Sequence, residues 1–447
     1  MALTRERRKL GAPPAAGIDA ANPNPYGWAP LAVLFIVGLV DRIENNLLSG
    51  VLPLLKAEWG FSDTAAGSIP TAAALAAAIV SLPAGYLADR HNRTRIITVV
   101  VFCWAIATLG SGLATGFAIF YLTRVFLAAA ENIDNPASGS LLADYYPPAT
   151  RAQAYGLTRI TTYLGGIGTV IGGVIGEAYG WRTAFLVMVI PGLLTAWICW
   201  RLREPSRGEL DRIIAGATPT TTRPAAQQTR PHIPFIRQAG QVLRIPTLLM
   251  VSIGLMLLTF GLTGVYYWLP SLMVRDFGLG AGTAGTISGT ISIVGVLAGT
   301  LIGARLGRHL HGIRKGGRLL VGGTGIATGS LVLGGALLAG DVTTFVLLTG
   351  LSSILMSTAI PNLTASLADV VDATSRGLAF AVLQLLMTLG TAFGPLVVGI
   401  ASDASGSLLT AMYVLIVPMF LGGVLTLTAR ASFERDSARV LETARHT

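Results

Sequence analysis

Long apolar runs constrain this chain more than any other feature of its sequence. Stretches of about 18 or more apolar residues recur along nearly its whole length, and an α-helix needs about 20 such residues to cross a bilayer. Only 12% of the 447 residues are charged, which is about half the fraction typical of soluble proteins. The sequence therefore predicts an all-α integral membrane protein.

Twelve transmembrane helices are predicted along the chain. They span residues 28–55, 62–89, 95–115, 117–145, 151–177, 182–202, 246–274, 281–304, 318–339, 342–369, 375–402 and 406–429. The loops alternate between basic ones and ones that carry acids or no charge, with Lys56, Arg182 and Arg275 as exceptions. The positive-inside rule then predicts that both termini are cytoplasmic. We expect the protein to lie in the plasma (inner) membrane.

An internal repeat divides the chain into two pseudo-symmetric halves. The segment "PASGSLLADYYPPATR", from Pro136, matches "PNLTASLADVVDATSR", from Pro361, at a constant offset of 225 residues. Two six-helix bundles in the same orientation are an architecture of secondary transporters. The predicted parts are a cytoplasmic tail at 1–27, a six-helix bundle at 28–203, a cytoplasmic linker at 204–245, a second six-helix bundle at 246–430 and a cytoplasmic tail at 431–447.

The loop between the second and third helices, "GYLADRHNRTR", resembles the G-x-L-A-D-R-x-G-R-R signature of the major facilitator superfamily. In the second half, Gly303 stands where the motif has its Asp. A charged latch at this end can hold one conformation and release it, although a plain basic loop would carry the same residues. With the residues that the repeat duplicates, the predicted cytoplasmic gate comprises Asp89, Arg90, Arg93, Asp144, Arg151, Asp369 and Arg376. A simple helix-end role for the duplicated residues remains an alternative.

Further motifs in helices 1 to 5 resemble the Spinster branch of this superfamily. They are "DR" at 41–42, "GVLP" at 50–53, "LTRVFLAAAE" at 122–131 and the following "LLAD". The resemblance implies lysophospholipids or sphingosine phosphate as substrates. The chain departs from that branch where Asn132, Asp134 and Asn135 follow Glu131, because small polar residues are usual there. An Asp-Arg pair on helix 1 with a Glu on helix 4 also occurs in organic-anion:proton symporters.

The ionisable residues predicted near mid-membrane all lie in the N-terminal half. At about 100° per residue, Asp41, Arg42, Asn45 and Asn46 fall within one arc of helix 1, and Glu44 lies outside it. The predicted roles are proton coupling for Asp41 and Glu131, binding of the substrate headgroup for Arg42, Asn45, Asn46 and Arg159, and support for Arg124, Asn135 and Tyr163. We expect Arg124 to orient Glu131. The alternatives are that Asp41 and Glu131 form fixed ion pairs and that Arg42 is a structural partner of Glu131.

The C-terminal half offers milder polar groups near mid-membrane. The predicted cavity wall on this side comprises Tyr266, Tyr267, Trp268, Asn362 and Gln384. A cavity that is charged on one wall and apolar on the other suits a molecule with a headgroup and a tail.

These patterns predict a proton-coupled secondary transporter that works by alternating access on an amphiphilic lipid-like substrate such as a lysophospholipid. The alternative is a proton-coupled carrier of a small organic anion or a drug-like compound. No phosphate-binding glycine loop precedes a Lys, and no nucleophile triad or metal-ligand spacing occurs, so we predict no ATP-driven pump, no enzyme, no metal and no cofactor. The partners expected are the substrate, protons and membrane lipids, without nucleic acid, and the protein is expected to be a monomer.

Overall fold

The computed structural model describes residues 25–208, 210–211, 240, 242–311, 313–372 and 375–446. Most of the predicted N-terminal tail and linker lie outside these ranges. The side chains of Asp89 and Asn135, both predicted site residues, are also outside the described part of the chain.

The described residues form α-helices joined by short turns. The helices are α1 (Ala29–Trp59), α2 (Asp63–Arg90), α3 (Arg93–Gly112), α4 (Phe117–Tyr145), α5 (Pro148–Tyr163), α6 (Gly166–Tyr179), α7 (Trp181–Trp200), α8 (Pro246–Phe277), α9 (Ala281–Leu310), α10 (Gly317–Ala336), α11 (Val342–Ser357), α12 (Ala359–Asp369), α13 (Arg376–Ser405), α14 (Leu408–Met412), α15 (Ile416–Thr428) and α16 (Arg430–His446). A short 3₁₀ turn, Tyr413–Leu415, joins α14 to α15.

Within the described ranges, twelve helical units correspond to the twelve predicted spans, and three of these units are interrupted. The predicted helix at 151–177 breaks at Leu164–Gly165 into α5 and α6, the helix at 342–369 breaks at Thr358 into α11 and α12, and the last span contains the 3₁₀ turn. The predicted C-terminal tail forms a helix, α16, which packs on the start of α8. There Asp436 accepts hydrogen bonds from the Thr247 backbone N–H (3.3 Å) and hydroxyl (2.7 Å).

Nine of these units, within the described ranges, are long and apolar enough to cross a membrane. The other three are α1, α4 and the α5/α6 pair. They carry the charges predicted near mid-membrane, which lower their mean hydropathy. The helices that are least suited to lipid by composition are therefore those that contribute the charged residues of the site.

Each half of the chain has its own apolar core. In the N-terminal half, α1 packs on α6, α3 on α7, and α2 on α4. In the C-terminal half, α8 packs on α13 and α15, and α10 on α11 and α15. The halves meet through α2 against α13 and α6 against α9.

Hydrogen bonds between the halves, as far as the described residues form them, lie at one end of the bundle. We call it the closed end; it comprises residues 56–71, 177, 267–282 and 392–408. Asp63 is at its centre and accepts from both Arg275 terminal nitrogens (2.7 Å each), from Lys56 and from Ser402 (2.6 Å). Across the same interface, Asp403 accepts from the backbone N–H groups of Asp63 (2.9 Å) and Thr64 (2.7 Å).

At the opposite end, which we call the open end, the described residues form no hydrogen bond between the halves. Ile79 on α2 is 77% exposed, and Leu385 on α13 is 60% exposed. The two halves are thus joined at the closed end and separated at the open end.

Glycines allow α6 and α9 to cross closely along the part of the bundle that adjoins the closed end. A Cβ on Gly289 would collide with the carbonyl oxygen of Gly166, and a Cβ on Gly173 would collide with that of Ala281. Small residues at such a crossing let two backbones meet without a gap in the packing. The closure of this end therefore depends on the absence of side chains at these positions.

Replacing Gly289 with Leu should push α6 and α9 apart and open the closed end. The distance between spin labels at Tyr179→Cys and Ser405→Cys, in a chain without Cys103 and Cys199, should lengthen and broaden relative to the parent. Gly350→Leu is the matched control, because a Cβ at Gly350 meets nothing within 4 Å. Equal label distances in both variants would contradict the proposed role of the crossing.

Candidate functional site

A cavity of about 430 Å³ lies between the two halves at mid-length of the helices. Its polar lining on the N-terminal side comprises Asp41, Arg42, Asn45, Asn46, Ser49, Arg124, Glu131 and Asn132. Its lining on the C-terminal side comprises Thr263, Tyr266, Tyr267, Thr391 and Pro395. The cavity is thus charged on one wall and uncharged on the other.

The two predicted proton-coupling acids are joined by one amide. Asn45 Nδ2 donates to Asp41 Oδ1 (3.1 Å) and to Glu131 Oε2 (3.0 Å), which links α1 to α4. The other carboxylate oxygen of Glu131, Oε1, is buried and has no hydrogen-bond partner. A buried oxygen without a donor is stabilised if it binds a proton or a ligand.

Arg42 is the nearest cation to this pair. Its Nε lies 3.5 Å from Asp41 Oδ2, and its side chain is 44% exposed toward the cavity, against 21% for Asp41. Because the contact with Asp41 involves Nε, the terminal nitrogens of the Arg42 guanidinium remain as donors that can bind an anionic group. The Asn46 side chain is partly occupied, since Asn46 Nδ2 donates one of its two hydrogens to the backbone carbonyl of Arg42 (2.8 Å).

A second cavity of about 200 Å³ continues from Asp41, Arg42 and Glu131 into the N-terminal half. It lies among α1, α4 and α5, and its lining includes Asp134 and Arg159. Arg159 is exposed and forms no hydrogen bond or ion pair with another described residue. Tyr163, predicted as a supporting residue, is half-buried and lines neither cavity.

The predicted partner of Arg124 was wrong. Arg124 is seven residues from Glu131, about 10 Å along the helix axis, and its guanidinium lies 3.3 Å from Glu44 instead. Glu44, which is 2% exposed, also accepts from Trp104 Nε1 (2.5 Å) and from the Thr108 hydroxyl. The same arginine donates to Ser111 Oγ (2.7 Å). This buried network joins α1, α3 and α4.

The predicted wall of the C-terminal half is only partly correct. Tyr266 and Tyr267 line the cavity, whereas Trp268 is fully buried, because its turn of α8 directs it toward α13, where Nε1 donates to Pro395 O (2.9 Å). Asn362 is also buried, because its amide donates to the carbonyls of Gly303 (2.8 Å) and Thr358 (2.9 Å).

Gln384, the last residue of that prediction, is exposed on α13. It lies seven residues from Thr391, so both are on the same helix face, with Gln384 nearer the open end. It does not line the cavity between the halves.

The predicted gate residues bond within their own half. Arg93 is fully buried and donates to Asp144, Ser140 (2.9 Å) and Glu204 (2.8 Å). In the second half, Arg318 donates to Asp369 (2.7 Å). Both members of the second pair lie 225 residues after those of the first, so the repeat duplicates an entire ion pair.

The remaining gate arginines are also held locally. Arg151 donates to Asp211 (2.8 Å), and Arg376 donates to Val371 O (3.4 Å). Arg90 lies over the ring of Tyr86, 4.2 Å from its centroid. In this conformation the predicted gate residues do not bridge the halves among the described residues.

The sequence matches the model of the Major Facilitator Superfamily over residues 34–339 and 314–445. The chain belongs to the major facilitator superfamily. A crystal structure of a bacterial homologue of the human lysosomal transporter Spinster, inward-facing and unoccupied, has the same fold, with a TM-score of 0.78 and 22% identity over 94% of this chain and 99% of that one.

Curated relatives of this superfamily member bear names of two kinds. The cis,cis-muconate transport protein of Acinetobacter baylyi is 28% identical over 55% of this chain and 58% of that protein. Protein spinster homolog 1 of Xenopus laevis is 25% identical over 55% of this chain and 45% of that protein. The chain thus spans about half the length of the curated relatives it matches. The predicted membership of the superfamily and the Spinster resemblance are confirmed.

The main feature of this major facilitator that sequence reasoning missed is the network at the closed end. The sequence did carry a signal of this network, because Lys56, Arg182 and Arg275 depart from the alternation of basic and acidic loops. Lys56 and Arg275 both bond to Asp63, and Arg182 bonds to Glu58 (2.7 Å). Each exceptional cation is therefore paired with an acid.

Breaking the Glu44–Arg124 pair should strongly destabilise the protein. Glu44→Gln leaves Arg124 buried without its counter-charge, and losing one member of a buried pair costs about 3–5 kcal/mol. Thermal unfolding in detergent should show this loss, and Glu44→Gln with Arg124→Met should lose less than the sum of the single changes. The control is Glu58→Gln, because Glu58 and Arg182 are each 40% exposed and such pairs contribute about 1 kcal/mol or less. Equal losses for the two Glu→Gln variants would exclude a special role for the buried network.

Proposed function

We propose that this protein is a proton-coupled secondary transporter that moves an amphiphilic anion or zwitterion, such as a lysophospholipid, by alternating access. The single observation that carries the proposal is the cavity between the halves, with ionisable groups on one wall and Tyr, Thr and Pro on the other. Superfamily membership supports transport, and the lipid-like substrate is what the resemblance to the Spinster branch implies.

The substrate is proposed to bind with its headgroup on the N-terminal wall. Arg42 offers an exposed guanidinium there, and Arg159 offers a second one in the adjoining cavity. A guanidinium binds phosphate or carboxylate through two parallel hydrogen bonds. The apolar part of the substrate would then lie along Tyr266, Tyr267 and Pro395.

Proton coupling is proposed to reside in Asp41 and Glu131. The carboxyl pair shares Asn45 as a donor and leaves Glu131 Oε1 without one. In a medium of low dielectric constant, two neighbouring carboxylates bind a proton more readily than one that is solvated. Substrate binding at Arg42 would draw that arginine from Asp41 and so favour proton uptake by the pair.

Alternating access is proposed to proceed by separation of the closed end and closure of the open end. The Asp63 and Asp403 contacts would have to break in each cycle, while the contacts within each half persist. With both termini cytoplasmic in the plasma membrane, the described conformation faces inward. The duplicated Arg93–Asp144 and Arg318–Asp369 pairs would then lie at the cytoplasmic end, where the gate is proposed to form. The transporter is proposed to act as a monomer, without a cofactor.

A carrier of small organic anions is the second candidate. It is favoured by the relatives named as transporters of cis,cis-muconate, gallate and 4-hydroxybenzoate. A single carboxylate on an aromatic ring could also bind Arg42 and pack on Tyr266 and Tyr267.

Transport in proteoliposomes should distinguish the two substrates. We expect labelled lysophospholipid to move faster when a pH gradient is imposed than at equal pH, and labelled 4-hydroxybenzoate to move no faster than through protein-free vesicles. If lysophospholipid neither moves nor competes while the aromatic acid accumulates, the lipid proposal is wrong and the second candidate replaces it. If neither compound moves, the transport proposal fails.

Glu131→Gln should uncouple transport from the pH gradient. Gln keeps the shape of a protonated Glu but cannot release a proton, so exchange of labelled for unlabelled substrate at equal pH should persist. Gradient-driven uptake should fall by about 5- to 150-fold, the range of ordinary coupling free energies. Glu58→Gln, which changes an exposed residue at the closed end, should leave the rates of exchange and of gradient-driven uptake unchanged. An unaltered pH dependence in Glu131→Gln would remove this residue from the coupling role.

A further inference from the structure

A third carboxyl group faces the second cavity and takes no part in the ion pairs described above. Asp134 lies three residues after Glu131 on α4, about 4.5 Å further toward the open end. Both residues line the cavity of about 200 Å³ within the N-terminal half, together with Asp41. Ser138 and Leu142 continue the same lining toward the open end. Asp134 is therefore the acid of this cavity that comes first on a path from the open end.

The polar contacts of Asp134 are few. Ser138 Oγ donates to its Oδ1 (2.8 Å), and no described cation lies within ion-pair distance of it. The titratable or charged groups that face it from the neighbouring helices are Asp41 and Arg42 of α1, Glu131 of α4, Tyr155 and Arg159 of α5, and Cys199 of α7. One carboxylate oxygen, Oδ2, is thus left to bind a proton.

From this geometry we propose that Asp134 is a proton-relay residue, through which protons pass between the open end and the Asp41–Glu131 pair. This inference rests on the proposed proton-coupled transport. It is independent of the Spinster resemblance, because Asp134 is a position at which this chain departs from that branch.

The proposed transfer conserves one proton at each step. A proton from solution at the open end binds Asp134 Oδ2, and Asp134 then releases it to Glu131 Oε1, the oxygen without a partner. Asp134 returns to the carboxylate and can take up the next proton. The cavity that these carboxyl groups line has room for several water molecules, at about 30 Å³ each.

Arg159 gives the relay a link to the substrate. Its guanidinium faces the same cavity and has no hydrogen bond or ion pair with another described residue, so it can bind the anionic group of a substrate there. The relay and the second proposed headgroup contact would then share one cavity.

The test compares Asp134→Asn with Asp134→Glu in proteoliposomes that contain a pH-sensitive dye. In Asp134→Asn we expect gradient-driven substrate uptake and the accompanying proton influx to fall about tenfold or more. Substrate exchange at equal pH, which needs no net proton movement, should stay within about twofold of the parent. Asp134→Glu should restore the proton influx. Asp341→Asn, a conservative change of a surface N-cap, is the matched control.

Two results would overturn the relay. One is a proton influx in Asp134→Asn equal to that of the parent; the other is a parallel loss of exchange and influx that Asp134→Glu does not rescue, because it would indicate a structural role. Failure of the proposed function is a separate outcome, seen when the parent protein itself shows no gradient-driven transport.

A measurement that does not depend on transport completes the test. A carbodiimide reacts with protonated carboxyl groups in apolar surroundings, so mass spectrometry should find it attached to Asp134, with a yield that falls as the pH rises. At a given pH the yield should rise in Ser138→Ala, because this variant removes the donor that stabilises the carboxylate of Asp134. Absence of labelling at Asp134 at every pH would contradict the proposal.

Discussion

Neutralising charge inside an apolar helix bundle is the constraint on which the N-terminal half depends. A charged residue at the centre of a membrane helix costs about 2.5–3.5 kcal/mol on insertion scales, and α1 carries three within four residues. The structure offsets the charge of Glu44 with Arg124 and with donors from Trp104 and Thr108. Because Glu44 is fixed against α3 and α4, the neighbouring face of α1, with Asp41 and Asn45, is directed into the cavity. A structural ion pair thus orients the residues proposed to be functional.

The remaining charges of this half are less completely satisfied. Glu131 has one carboxylate oxygen without a partner, Asp134 has a single hydrogen bond to a hydroxyl, and Arg159 has no described partner. Groups that are fully paired, such as Glu44 and Arg93, cannot exchange partners without a large loss of stability. Groups that are incompletely paired can bind a proton or an anion with little rearrangement. The distribution of unsatisfied groups therefore separates the residues that can act from those that hold the helices.

The sequence predicted the helices and the division into halves, because apolar length and an internal repeat are local or periodic signals. It also placed Asp41, Arg42, Asn45 and Glu131 around one cavity, since helical periodicity determines which residues share a face. Periodicity does not determine which neighbouring helix that face meets. For this reason the sequence pattern pairs Arg124 with Glu131 on its own helix, whereas the partner of Arg124 is Glu44 on α1. Similarly, the bonds between Asp403 and the start of α2 join residues about 340 positions apart, and no local pattern encodes them.

The breaks at Leu164–Gly165 and Thr358 were missed for a related reason. Both lie within predicted spans, where the Gly-Gly pair at 165–166 and the proline at 361 do not by themselves locate an interruption, because membrane helices tolerate such residues. At the first break, Gly165 packs directly on α1, because a Cβ at this position would collide with the Asn46 side chain. The break therefore lies against Asn46, a residue that lines the cavity between the halves.

The two halves carry equivalent charged residues at the open end but differ in the residues that line the cavity at mid-length, and this contrast bears on the proposed mechanism. The repeat conserves an arginine–carboxylate pair at the open end of each half, Arg93–Asp144 and Arg318–Asp369, together with Arg151 and Arg376. Had the site been duplicated as well, the cavity would carry acids and arginines on both walls, and closing it would bring like charges together in a medium of low dielectric constant. With ionisable groups on one wall alone, the C-terminal half can approach with Tyr266 and Tyr267 at no such electrostatic cost. In the proposed mechanism, symmetry in the ends would give two bodies that can rock, and asymmetry in the middle would allow them to close over the charged headgroup of the proposed substrate.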